Sequence, residues 1–542
     1  MLPRWLAAFG TAALVACGAD VTLSPGYGGA GEGEKGGEGG GVPLLCEPGA
    51  EESCYDGPAA TLGVGICTAG TRTCRDDGLG FGPCEGAVLP SVEDCTTDLD
   101  EDCDGETVPC PGAVLWSKHL HAPAHVRVAG VAGGLGGEVV VGGGAIADLE
   151  VGGALLAPGA QGERDPFVAR YDAEGGLLHA DLFVASGVGQ PHAVVVGPGG
   201  EMVLGGHFIG QQTFGGPGVD AQGLGDAFVA AFNGAGSDLW HRVFSGPGFA
   251  SVSAMAADGS GGLVVVGDFR DTLTVGQTVL TSVGQYDIFV ARLDATGAVV
   301  WAKGFGATND QFAKDVAVDT STGRIAVTGG FFGSLDLGGG LMTTSGNLVR
   351  DVYLAVFDLD GTYLTGRHLV GESFSDDEQV AWAPDGSLYL AGQSYGALDF
   401  GAGPVPGVGQ ADIYVARYAA SGELDWVQRF GDGLTLAFVK GLAANDVGVA
   451  VAGHFDGAIT VGDTHHVSGP GSDALVAWLS TESGTPWWSR TFGGEDTVGC
   501  SDVALTTQGR IAVVGQFAGT LPLDDATYQA TGVDGFVALL AP

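Results

Sequence analysis

The sequence predicts an all-β repeat protein, and three observations lead there. A five-residue phrase (Asp, one spacer, a large apolar residue, Val or Leu, then Ala) begins at Asp165, Asp226, Asp287, Asp351, Asp412, Asp473 and Asp534. Its spacing is 61 residues in every interval except the third, which is 64. A period held so tightly means one structural unit copied in series. The chain carries 100 Gly and 23 Pro without a Gly-X-Y period, which points to many turns rather than helices or collagen. Its apolar runs are short and flanked by glycine, as strands are.

With 542 residues and 45% hydrophobic content, the chain is long enough to bury a sizeable core. Lys and Arg total 21 against 64 Asp and Glu, a net charge of -43. Such a surface repels phosphate, which excludes nucleic acid and anionic lipid headgroups as partners.

Residues 1–17 read as an export signal: Arg4, an apolar run from Trp5 to Ala16, and small residues at the end. The run is too short to span a bilayer permanently. Leu14-Val15-Ala16-Cys17 resembles the lipobox of bacterial lipoproteins, which implies cleavage before Cys17 and lipid attachment there. An ordinary signal peptide with a chance cysteine is the other reading. The expected location is the cell envelope, at the outer membrane or cell surface, held by the lipid alone. Residues 18–45, rich in Gly and Glu, cannot form a core and predict a flexible tether reaching about 30 Å.

Residues 46–111 hold eight of the ten cysteines: Cys46, Cys54, Cys67, Cys74, Cys84, Cys95, Cys103 and Cys110. An even number in a short exported segment predicts a disulfide framework, whose pairing spacing alone does not choose. Zinc ligation is the competing reading, against which stands the lack of Cys-x-x-Cys knuckles. Within this module Asp100, Asp102 and Asp104 followed by Gly105 match the opening of a calcium loop. Position 12 of that loop is Pro111 rather than Glu, so other oxygens are needed. The expected metal set is Asp98, Asp100, Asp102, Asp104 and Glu106, with calcium as the ion; a solvated acidic turn is the alternative. The stretch from Glu93 to Gly105 also resembles the MopE-type metal-binding motif of myxobacterial surface proteins, which implies metal affinity without naming the metal.

Residues 112–542 contain the repeats. Around Trp301, strands are predicted at 299–305, 315–319, 324–329 and 351–357, joined by short Gly-bearing turns. Four short antiparallel strands per unit make a β-propeller blade. One strand per unit, such as Val139-Val140-Val141 or Val264-Val265-Val266, is apolar on both faces and must be covered on both. The chain enters on an orphan strand around Trp116 and stops on one around Phe536. Placed side by side, these complete a seventh sheet, so the expected fold is a seven-bladed propeller closed by its N- and C-terminal strands. The repeats resemble SBBP-type β-propeller repeats, through Gly-x-x-x-Trp-x-x-x-Phe-Gly at Gly297 to Gly306 and Val327-Thr328-Gly329. That resemblance implies the fold and is nearly silent on activity.

The seven-fold Asp is expected to have a structural job, accepting backbone N–H groups at a turn. Departures from the repeat are better functional candidates. Connections in the later repeats carry Asp310, Asp376, Asp377, Asp432, Glu495 and Asp496, predicting an acidic rim on one side of the channel entrance, a candidate site for a cation or a cationic partner; a merely solvated rim is the other reading. His119, His121 and His125 are candidate transition-metal ligands, since 119 and 121 share a strand face, but no acid neighbours them in sequence. His207 and His454 occupy equivalent repeat positions, and Cys500 reads as a small buried hydrophobe. No nucleophile elbow, metalloprotease helix or phosphate loop is present. The expected function is therefore non-catalytic binding or scaffolding by a monomer, with a protein or polysaccharide ligand. The alternative is a polysaccharide hydrolase or lyase with carboxylates at the channel mouth.

Overall fold

The computed structural model of the chain describes residues 45–91, 99–101, 103, 110–157, 164–346, 349–371, 375–494, 496–524 and 526–542. The chain divides into two compact units, Met1–Val108 and Pro109–Pro542. Among the described residues there is no α-helix, only two short 3-10 turns.

In the first unit, strands Glu51–Cys54 and Gly70–Thr73 pair antiparallel. Disulfides join Cys46 to Cys74, Cys54 to Cys84 and Cys67 to Cys103, with Cα separations of 6.0, 5.8 and 6.1 Å. Cys110 is also disulfide-bonded, and Cys95 lies outside the described residues. Among the described residues of this unit, the buried apolar side chains are Cys54, Cys67, Cys74 and Cys103. The cross-links are thus themselves the core, each worth about 3–4 kcal/mol for loops of this size in the chain-entropy model. Six sulfurs held in S–S bonds are not available as thiolates for zinc.

In the second unit the described strands make seven antiparallel ladders of four. A representative one runs from Gln311–Asp319 through Arg324–Phe332 and Arg350–Phe357 to Tyr363–Gly371. The Trp-bearing strand Val299–Phe305 is the outer strand of the ladder before it, paired to Asp287–Leu293. The inner strands are His125–Gly133, Ala185–Val196, Ala250–Ala257, Gln311–Asp319, Ser375–Trp382, Leu436–Ala444 and Val498–Leu505. In that order each lies against the next, and the last lies against the first. This is the repeat architecture of a β-propeller. The ladders do not fuse into one closed hydrogen-bonded sheet.

The ladder beginning at Val498–Leu505 continues through Ile511–Pro522 and Thr527–Leu540 and takes its fourth strand, Val114–His121, from the other end of the chain. Trp116 stands opposite Leu539 and His119 opposite Phe536. The two orphan strands of the sequence meet as expected.

Seven buried apolar clusters each join two successive sheets. One packs Trp116, Val126, Val139, Val141, Val514, Val537 and Leu539 together; another packs Val140 and Val168 against Leu204 and Phe228. Val139, Val140 and Val141 are all essentially solvent-free, which explains why this strand is apolar on both faces. Burial of each such side chain contributes about 1.5–3 kcal/mol.

The repeated indole has a second role. Nε1 of Trp116, Trp240, Trp301 and Trp426 donates to the carbonyls of Ala173, Ala295, Leu359 and Thr481 at 3.0, 3.1, 2.8 and 3.1 Å, each in a turn of the following sheet. A glycine with φ between +69° and +81° presents its bare Cα to each ring: Gly175, Gly297, Gly361 and Gly484. Trp488 rests in the same way on Gly112. A side chain at those turns would strain the backbone and strike the indole.

Candidate functional site

Successive strand residues face opposite ways, and a bulge breaks that alternation by inserting one residue that the partner strand skips. Every inner strand carries such a shift at the same place. The skipped residues are Ala129, His192, Ser253, Lys314, Lys440 and Ser501, with Asp377 and Glu378 in Ser375–Trp382. Repeat glycines on the adjoining strand make room for it. A Cβ at Gly143, Gly267, Gly329, Gly453 or Gly515 would collide with the carbonyl of Arg127, Ser251, Phe312, Phe438 or Gly499.

The bulges converge. Ala129, His192, Ser253, Lys314, Asp377, Lys440 and Ser501 all line one cavity of about 510 Å³ at the centre of the inner strands. A second cavity of about 410 Å³ shares Arg127, Ala129, Lys440 and Ser501 with it and adds His454, Cys500 and Gln516. One structurally equivalent position thus carries Ala, His, Ser, Lys, Asp, Lys and Ser around one space, and in three strands the next residue is also acidic: Asp315, Glu378 and Asp502.

Three carboxylates in the cavity wall fasten neighbouring sheets. Asp268 accepts from the Ala313 N–H at 2.8 Å, Asp315 from Val380 at 2.8 Å, and Asp502 from Val131 at 2.9 Å, each on the next inner strand. Burial pushes all three carboxyls up to about 7, against the opposing pull of those N–H bonds. His192 Nε2 and His207 Nδ1 share a hydrogen bond of 3.1 Å with their rings stacked at 5.2 Å. Burial, reinforced by Arg127, holds them down to about 3 and about 4, so both are neutral. His454, stacked on Phe438 at 4.9 Å, is pushed down to about 4 by burial and then by Lys440. His207 and His454 line different cavities.

Lys440 is neutralised by Asp377 at 2.6 Å. Arg127 is not neutralised: its Nη1 is buried and has no hydrogen-bond partner among the described residues. Burial, and then the guanidinium of Arg164, hold its pKa below the ordinary arginine value. Among the described residues no ion pair forms on this cation, which faces a cavity within a chain of net charge -43.

The residues singled out by sequence fall in several places. Asp377 lines the cavity, whereas Glu378 turns away into a fully buried pair with Arg350 at 3.2 Å. Asp310, Asp432 and Asp496 sit in connections that lead into inner strands; Asp310 accepts from the Tyr286 N–H at 3.2 Å, and Asp432 lies 3.5 Å from His465. None of these three lines either cavity. The side chain of Asp376, and Glu495, lie outside the described residues, as do Cys17, Asp98, Asp102, Asp104 and Glu106. Asp100 is described and buried. Cys500 is a free, buried thiol pushed up to about 12 by burial, the small hydrophobe expected.

All seven repeat aspartates are buried. Asp226, Asp287, Asp412 and Asp473 accept the backbone N–H four residues earlier, from Gln222, Val283, Val408 and Gly469, as a structural role requires. Asp534 differs. Its Oδ2 takes His119 Nε2 at 2.8 Å and His121 Nδ1 at 2.7 Å. The acidic neighbour absent from the local sequence arrives from the opposite end of the chain, and His125 is not part of the group.

Sequence reading missed Arg127, His192, Lys314 and Lys440 as a set. The signal that finds them is an alignment of the seven inner strands on the bulge, where polar residues gather at the skipped position and its near neighbours.

No family model matches this chain, and no curated protein matches it. Solved structures similar to it include Sqt1 from Chaetomium thermophilum, at 11% identity and a TM-score of 0.40 over 80% of this chain and 99% of that one. The Pan2 WD40 domain of Neurospora crassa follows at 9% identity and 0.37, covering 77% and 90%. Quinohemoprotein alcohol dehydrogenase from Comamonas testosteroni is similar at 10% identity and 0.39, covering 79% and 76%.

Proposed function

We propose that this chain is an exported, lipid-anchored surface protein whose second unit is a seven-bladed β-propeller, closed by Val114–His121 on Thr527–Leu540. Its role is non-catalytic: it binds a ligand that carries a carboxylate, at the central cavity. The lipobox-like Leu14-Val15-Ala16-Cys17 supports the anchor, and the meeting of the terminal strands supports the closure. Calcium in the cysteine-rich unit remains part of this reading, on Asp100 and its acidic neighbours.

The single observation that carries the binding site is the convergence of seven bulge residues on one cavity beside the unneutralised Arg127. A rigid repeat scaffold that varies one inward position per repeat is built to specify a ligand. The cavity carboxylates Asp268, Asp315 and Asp502 are engaged by backbone N–H groups, and among the described residues no Trp or Tyr lines the space. That arrangement fits recognition better than glycoside chemistry, which needs a freely placed acid and base.

The test is calorimetric titration of the full chain with trigalacturonate, an acidic hexapeptide and neutral maltotriose. Binding of an acidic probe with a loss of about 10-fold or more in Arg127→Met supports the reading. Failure of both acidic probes to bind, or binding untouched by Arg127→Met, overturns it.

A further inference from the structure

The strand that opens the repeat unit and the strand that ends it share more than a backbone ladder. His121 lies opposite Asp534 in the register set by Leu120 and Gly535, and His119 lies one pleat further along the same face. Their side chains meet at a single point. Asp534 Oδ2 stands 2.8 Å from His119 Nε2 and 2.7 Å from His121 Nδ1, and the three atoms lie within 4.8 Å of one another. The carboxylate is fully buried, while the imidazoles are 22% and 30% exposed, so the group opens to solvent on the histidine side.

We infer that His119, His121 and Asp534 form a transition-metal site, of the zinc type, that clasps the first strand of the repeat unit to the last. Two imidazole nitrogens and one carboxylate oxygen are a donor set suited to zinc and its neighbours, with solvent completing a tetrahedron. Bonds of about 2.0–2.2 Å in that geometry separate ligand atoms by about 3.3–3.5 Å. Both imidazole nitrogens already stand within 2.8 Å of the carboxylate oxygen, and all three atoms lie within 4.8 Å of one another, so the trio reaches this spacing by side-chain adjustment alone. Its surroundings hold the ligands in place. The Ala122 N–H approaches Asp534 Oδ1 at 3.4 Å, leaving Oδ2 for the rings, and His119 stacks on Tyr528 at 5.0 Å.

The other repeats show what is particular here. Asp351, the equivalent residue of an earlier sheet, takes one histidine, His368 at 2.7 Å, and Asp412 takes Arg429 at 3.0 Å. A basic side chain on the outer strand thus meets the repeat Asp in two other sheets, whereas the second histidine is peculiar to the seam. Val370 stands where His121 would be expected in the sheet of Asp351. A structural hydrogen bond requires one histidine; the second supplies a ligand.

The experiment is a cobalt titration of the full chain with calcium present to fill hard-oxygen sites, read by the visible d–d bands of tetrahedral cobalt and repeated with zinc as competitor. The expected result is one equivalent bound. Affinity should fall by more than about 100-fold in His121→Gln, since losing even an outer partner of a metal site costs about 10–100-fold. His368→Gln should match wild type. Glutamine keeps an N–H donor for Asp534, so His121→Gln preserves the fold. With zinc at ten times its Kd, amide exchange across residues 114–121 should slow about 10-fold in wild type and not in His121→Gln. No stoichiometric cobalt binding, binding that survives His121→Gln, or metal-induced protection elsewhere in the chain would overturn the assignment.

Discussion

Trp116 and Ala173 stand 57 residues apart, and the indole Nε1 of one donates to the carbonyl of the other at 3.0 Å. That bond ties the strand completing the last sheet to the turn of the first. The same clasp joins Trp240 to Ala295 and Trp301 to Leu359, so the joint between the chain ends is built like a joint within the repeat.

Truncating this clasp should weaken the whole repeat unit. Trp116 is buried in a cluster drawn from both chain ends. Trp116→Ala is expected to cost about 3–5 kcal/mol and Trp116→Phe, which keeps much of the packing, about 1–2. Urea unfolding with the disulfides intact measures both. A Phe variant as unstable as the Ala variant would show that the N–H bond, rather than ring packing, dominates.

Gly329→Ala should destabilise by about 1–3 kcal/mol, because the new methyl meets the Phe312 carbonyl at the bulge. Gly216, with nothing within 4 Å of an added Cβ, is the control, and Gly216→Ala should stay within about 0.5 kcal/mol of wild type. Equal effects at the two sites would mean that the bulge does not require glycine.

Stability should depend on pH through two opposed sets of groups. His454 is held down to about 4 from its ordinary 6.5, so between those values the unfolded chain takes up a proton that the folded chain refuses. Its contribution is lost as pH falls through that window. Asp268, Asp315 and Asp502, raised to about 7 from 3.8, act in reverse: the folded chain keeps protons there, and stability is lost as pH rises through that window. His454→Phe removes one term of the first set. Between pH 7 and 4.5 the variant should gain about 2 kcal/mol relative to wild type. Parallel curves for variant and wild type would refute the neutral histidine.

Ligand binding should share this dependence. The cavity is faced by Arg127, Lys314 and Lys440, by neutral His192 and His207, and by Asp268, Asp315, Asp377 and Asp502. As pH drops from 8 to 6 the three raised carboxyls lose charge while the histidines stay neutral. An acidic probe should therefore bind more tightly at pH 6 than at pH 8, by roughly 10-fold. Titrations at the two pH values check this, and tighter binding at pH 8 would contradict it.

For the cysteine-rich unit, calcium titration of the full chain should show one equivalent with a dissociation constant of about 10⁻⁴–10⁻³ M, weakened by Asp100→Asn. An absence of heat at millimolar calcium would remove calcium from the account.

Several features were legible before any coordinates. The seven-fold phrase marks the third strand of each ladder, the Trp strand marks the outer one, and the triple-valine runs mark strands covered on both faces. The unmatched strands around Trp116 and Phe536 announced that the two ends would pair, and they do. These are properties of spacing and local polarity, which a linear pattern records directly, because strand alternation and two-sided burial act on residues within one segment.

The disulfide pairs, the inward aim of the bulge residues and the arrival of Asp534 beside His119 and His121 were settled only by tertiary structure. Each depends on register between segments as much as 415 residues apart, and one residue of slip would turn every side chain to the opposite face. A bulge is such a slip, which is why His192, Lys314 and Lys440 look like ordinary strand residues in sequence yet share one cavity in the fold.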